Sequence, residues 1–79
     1  MKIIDFELRD AFIPLDDLLK ATGVAPSGGA AKSIIADGKV RLDGEVEWQK
    51  AKKVYAGQLV ETAAVRIRMH APTRPAPFM

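Results

Sequence analysis

A chain of 79 residues without a cysteine has room for one small domain but not for a separate catalytic one, and it excludes disulfide staples and thiolate zinc sites. Hydrophobic residues make up 48% and charged residues 28%, the balance of a globular fold, so one core is expected over residues 1–71. The net charge of +2 is unevenly spread: acids outnumber bases five to two through Asp17, and bases outnumber acids ten to five from Leu18 on, so the later part is the one suited to a polyanion.

Acidic residues interrupt each apolar run before it reaches the length of a signal peptide or a membrane span, which points to the cytoplasm and to no membrane partner. In chain order, Ile3 to Leu8 reads as a short strand added at the edge of the main motif. Leu15, Leu18 and Leu19 recur at three- and four-residue steps with Asp16 and Asp17 in the first turn, predicting a short helix that Gly23 ends. Ser27 is placed to cap a second helix whose inward face is Ala31, Ile34 and Ile35 and which Gly38 stops.

Lys39 to Leu42 and Glu45 to Trp48 flank Asp43-Gly44, a hairpin turn signal because both residues tolerate positive φ. The register is open: a two-residue turn sets Val40 and Leu42 opposite Glu47 and Glu45, while a longer loop pairs them with Trp48 and Val46 and is favoured by burying more apolar surface. A strand around Leu59 and Val60 precedes Val65, Ile67 and Met69, which alternate with Arg66, Arg68 and His70, and the two predict a closing hairpin. From residue 72 to 79, three prolines and little to bury predict an irregular tail.

Catalysis finds no purchase. Asp16 and Asp17 are adjacent on a helix and point about 100° apart, His70 has no cysteine or carboxylate at ligand spacing, and Ser27 and Ser33 lack a base, so no catalytic residue, metal site or cofactor is expected. In the second helix Gly29, Lys32, Ser33 and Ala36 share the face away from Ile34 and Ile35. That nearly bare face, with Gly28 and Gly29 leaving the first amides unobstructed, would admit a phosphate backbone, and equally it would allow tight helix packing. Lys39 and Arg41 lie on one side of a strand, and Lys50, Lys52 and Lys53 form a run; with Lys32 they make one cationic groove if folding converges them, or a solvated surface if it does not. Trp48, the single tryptophan, either stacks on a base or belongs to the core, and the core is the expectation. Arg66 and Arg68, on one face of a strand, either contact phosphates or protect an edge strand, and protection is favoured.

The runs Leu15-Asp16-Asp17-Leu18-Leu19-Lys20, Ser27-Gly28-Gly29-Ala30-Ala31-Lys32 and Ile35-Ala36-Asp37-Gly38-Lys39-Val40-Arg41-Leu42-Asp43-Gly44, followed by Glu47 and Lys53-Val54, resemble the S-four RNA-binding domain. The likeness is to its small stand-alone bacterial branch and spans Leu15 to Glu61. The resemblance implies an α+β fold, the alpha-L motif, with two short helices packed on a small bent antiparallel sheet. It also implies a non-enzymatic role in binding structured RNA, with ribosomal RNA or a ribosomal particle as the preferred partner and ribosome assembly or RNA regulation as the setting. The expected RNA-binding residues are Ser27, Gly28, Gly29, Lys32, Lys39, Arg41, Lys50, Lys52 and Lys53, in a monomer. The chain departs from the family pattern at Asp43, where asparagine is common, and at Trp48-Gln49-Lys50, where a threonine and two arginines are usual; the loss of bidentate guanidinium contacts implies weaker binding. The alternative is a protein-interaction module that uses the Gly/Ala helix face.

Overall fold

The computed structural model describes residues 1–72; the expected tail therefore lies, from residue 73, outside the described residues. Strands β1 (Lys2–Glu7) and β2 (Phe12–Pro14) precede helices α1 (Leu15–Ala21) and α2 (Gly28–Ala36); β3 (Arg41–Leu42), β4 (Glu45–Val46), β5 (Lys53–Tyr55), β6 (Leu59–Glu61) and β7 (Val65–His70) follow. Five strands form one sheet in the order β1-β7-β6-β3-β4, and β2 pairs with β5 in a second, two-stranded sheet. The added N-terminal strand is an edge strand, as its sequence suggests, but it runs parallel to β7 while the other pairings are antiparallel. The sheet is therefore mixed. Short turns make β3–β4 and β6–β7 antiparallel, whereas β1 and β7 are joined by the whole intervening chain, which leaves their relative direction free.

The core is built where the helical spacing points. Leu15, Leu18 and Leu19 of α1 and Ala31 and Ile35 of α2 are fully buried against Val40, Leu42, Val54, Val60, Ile67 and Met69, with Ile34 half-buried at its margin. No side chain caps α1, because Pro14 occupies its N-cap. Instead the amides of Leu15 and Asp16 donate to the carbonyls of Lys52 and Lys50, each at 2.9 Å, so the β4–β5 segment satisfies the donors that a helix start leaves open. Helix α2 begins with a side-chain cap, Ser27 Oγ accepting from the Ala30 amide at 3.1 Å. It ends in a Schellman motif: Gly38 N–H donates to Ile35 O and Lys39 N–H to Ile34 O, with Gly38 at φ 72°, a conformation that glycine adopts without strain.

Three expectations are corrected. The hairpin has the two-residue turn, pairing Leu42 with Glu45 and Arg41 with Val46, and Asp43 and Gly44 both take positive φ, 52° and 89°, as a type I′ turn requires. The longer loop was favoured for burying Val46 and Trp48, but Val40 and Leu42 are already covered by the helices and by β6, and β4 at the sheet edge leaves Val46 37% and Trp48 60% exposed. Trp48 is accordingly outside the core. Arg66 and Arg68 do not protect an edge, because β7 lies between β1 and β6. Their guanidiniums pair instead with Glu61, at 3.1 Å, and with Asp5, at 2.8 Å, on the neighbouring strands. The short strands β2 and β5 were not foreseen at all.

Candidate nucleic-acid interface

Helix α2 presents Gly29, Lys32, Ser33 and Ala36 to solvent, all of them exposed, so the bare face read from the spacing is bare in the fold. A Cβ added at Gly28 would meet nothing within 4 Å, and one at Gly29 would reach only Ser27 Oγ, at 4.0 Å. The glycines are therefore not required for helix packing, which removes the structural explanation for the pair. What they leave is an uncluttered helix start. The Ala30 amide is taken by Ser27 Oγ and the Ala31 amide by Ser27 O, while the amides of Gly28 and Gly29, being the first two of the helix, have no intrahelical acceptor and suit an anion.

The candidate cations fall into three neighbourhoods. Lys32 stands on the α2 face. Lys39 and Arg41 share an open depression with Gly38 and Glu61, on the outer face of the sheet. Lys52 and Lys53 share another with Gln49 and Tyr55, and Lys50 precedes them in the segment whose carbonyls cap α1. Pinning that backbone turns the segment into a fixed mount, although Lys52 is half-buried and Lys53 is drawn over the Phe12 ring, 4.9 Å from its centroid. Phe12 in turn packs on Tyr55, with 5.8 Å between ring centroids. Among the described residues none of these six cations is held by a carboxylate, in contrast to Arg66 and Arg68.

Trp48, which the sequence assigns to the core, stands instead beside these cations. A Cβ placed on Gly38 would lie 2.7 Å from Trp48 Cη2 and 3.1 Å from Cζ3, so the benzo edge of the indole rests on the space where Gly38 has no side chain. This contact joins the end of α2 to the hairpin and to the start of the basic segment. The signal in the sequence was the two-residue turn, which by alternation sends Trp48 to the same outer face as Val46.

Among the described residues no cluster of three histidine, cysteine or carboxylate side chains could hold a metal, and no helix is long and apolar enough to cross a membrane. The Asp16 carboxylate accepts from the Asp17 amide at 2.9 Å. Asp5 is strongly shifted: hydrogen bonds from Arg68 and then from His70 pull it from the ordinary 3.8 to about 2, and the bond with Arg68 raises that guanidinium in turn. A concavity of about 600 Å³ near Phe6, Phe12 and Ala21 contains none of the candidate residues.

Comparison with known proteins identifies the family and the fold. Residues 6–69 match the S4 domain family. YbcJ of Escherichia coli strain K12 is 44% identical over 57 residues, which cover 72% of this chain and 81% of that protein, and YbcJ of Shigella flexneri matches with the same figures. The solution structure of Escherichia coli YbcJ superposes with a TM-score of 0.65 and 38% identity, over 90% of this chain and 89% of that one, and is described as revealing an alpha-L motif involved in RNA binding. The architecture of the present chain is that α+β motif.

Proposed function

Because the chain belongs to the S4 domain family, we propose that it is a non-catalytic RNA-binding protein that recognises structured RNA by backbone shape and charge. The observation that carries this reading is the exposed face of α2, whose glycines crowd nothing and whose first amides are open. Ser27, Gly28, Gly29 and Lys32 meet one stretch of backbone; Lys39, Arg41, Lys50, Lys52 and Lys53 take neighbouring phosphates. A surface of this kind, with amides and cations distributed over three neighbourhoods, fits a folded RNA better than a single strand read base by base. Ribosomal RNA or a ribosomal particle is the partner we assign, with ribosome assembly or RNA regulation in the cytoplasm as the setting. The acting unit is residues 1–71 as one domain and as a monomer.

The test is titration of a fluorescently labelled ribosomal RNA fragment containing helical junctions, at two salt concentrations, with the wild-type protein and with Lys32→Ala/Lys52→Glu. Lys32 is exposed, and neither it nor the half-buried Lys52 belongs to the hydrophobic core, so circular dichroism is expected to remain that of the folded protein. Micromolar, salt-sensitive binding that the double variant loses supports the groove. Binding that is equal or absent in both proteins sinks it and favours a protein-interaction module.

A further inference from the structure

A tryptophan that is 60% exposed is commonly a surface accident, but this one is held. The Glu47 amide donates to Val40 O at 3.0 Å, and the Gln49 amide to Glu47 Oε2, also at 3.0 Å, so the backbone is tied on both sides of Trp48. The Lys50 carbonyl just beyond is fixed by the Asp16 amide. The edge of the indole rests on Gly38, where any Cβ would collide with it. Gly38 is already needed for its positive φ, and the ring uses the clearance that results.

The surroundings indicate an occupant. The hairpin register pairs Arg41 with Val46; carried past the Val40–Glu47 hydrogen bond, it sets Trp48 across from Lys39. Strand alternation then puts Lys39, Arg41, Val46 and Trp48 on one outer face. The apolar surface beside Lys39 and Arg41 is the ring, Val46 and, lining the same depression, Met1, while the exposed Ile3 stands at the far end of the cross-strand row, beyond the Glu61–Arg66 ion pair. The charges break this surface into pieces too small for a protein docking patch, and two cations that no carboxylate among the described residues pairs with border the ring. A flat π surface of this size beside two positive charges complements one nucleotide: a base for the ring and its phosphates for the lysine and the arginine.

We propose that Trp48 is a stacking platform for one unpaired nucleobase in the bound RNA, with Lys39 and Arg41 taking the phosphates of that nucleotide. The inference rests on the RNA-binding reading above and adds to it a requirement for a bulged or looped base next to the duplex that α2 meets. It assigns a function to a position where the family pattern offers a side chain without a ring.

As the single tryptophan, Trp48 reports on its own site. Two RNA hairpins are titrated, identical except for one unpaired adenosine in the stem of the first, and both binding and tryptophan emission are followed. The wild-type protein is expected to bind the bulged hairpin about tenfold more tightly than the paired one, with its emission quenched by the bulged hairpin alone. Trp48→Ala should lose that preference and Trp48→Phe keep most of it, while Lys32→Ala/Lys52→Glu weakens binding of both hairpins. Equal wild-type affinity for the two hairpins with unchanged emission overturns the platform and leaves the RNA-binding reading standing. An equal loss on both hairpins in Trp48→Ala likewise overturns it. Binding to neither hairpin by the wild-type protein overturns both readings together.

Discussion

At Asp43 one carboxylate does two jobs, accepting from the Leu59 amide at 2.9 Å and from Gln58 Nε2 at 3.0 Å. Asparagine there would keep the positive φ but offer a single acceptor oxygen. Gln58 cannot turn over to compensate, because its own Oε1 accepts from the Tyr55 amide. Asp43→Asn is therefore expected to lower unfolding free energy by about 1 kcal/mol, measured by urea denaturation. Gly38→Ala meets two obstacles at once, a left-handed backbone and the indole at 2.7 Å. It is expected to cost about 1–2 kcal/mol from the backbone alone, with a changed tryptophan emission in the folded protein as the sign that the ring has been displaced. At this scale the sequence was informative where a residue acts on its own chain neighbours, as Ser27 and Gly38 do. It misled at Trp48, whose placement depends on what else covers β3, a fact that no local pattern contains.

The pairing of β1 with β7 shows the same division among elements. Alternation found both strands, but the Asp5–Arg68–His70 cluster that links them joins residues 63 and 65 positions apart and left no trace in the spacing. Because Asp5 is depressed from 3.8 to about 2 when folded, its contribution to stability is complete above the unfolded value and is lost as pH falls through the folded one. Melting temperature measured from pH 5 down to pH 2 is expected to fall less steeply in Asp5→Asn than in the wild type, from a lower starting value. The opposite order would remove this cluster from the account. The three-residue strands β2 and β5 escaped notice because Phe-Ile-Pro ends in a residue that cannot donate to a ladder, and Lys-Val-Tyr reads as the end of a basic run. Their pairing, Phe12 with Tyr55 and Pro14 with Lys53, is what brings Lys53 over the aromatic ring and restrains it.

For the molecule as a whole, the candidate cations were legible in the sequence as a set but not in their arrangement, since a single groove resolves into a helix face, a sheet face and a pinned segment. If together they neutralise about four to six phosphates, the logarithm of the RNA association constant should fall with the logarithm of salt concentration at a slope of about −3 to −5. Lys32→Ala should make that slope shallower by about one. A slope near zero would mean that the positive charge is solvated surface. Arg66 and Arg68, held by acids on adjacent strands, should leave the slope nearly unchanged when replaced by glutamine.

The parallel register of β1 on β7, running from Lys2 opposite Val65 to Glu7 opposite His70, also sets the order of assembly. During synthesis β1 has no partner until β7 has emerged, so the helices and the intervening antiparallel strands are free to collapse before β1 closes the sheet. Its pairing depends on contacts of long sequence separation, the slowest kind to form. In the interval, the face of the nascent domain that bears the two arginines of β7 is without the carboxylate of Asp5.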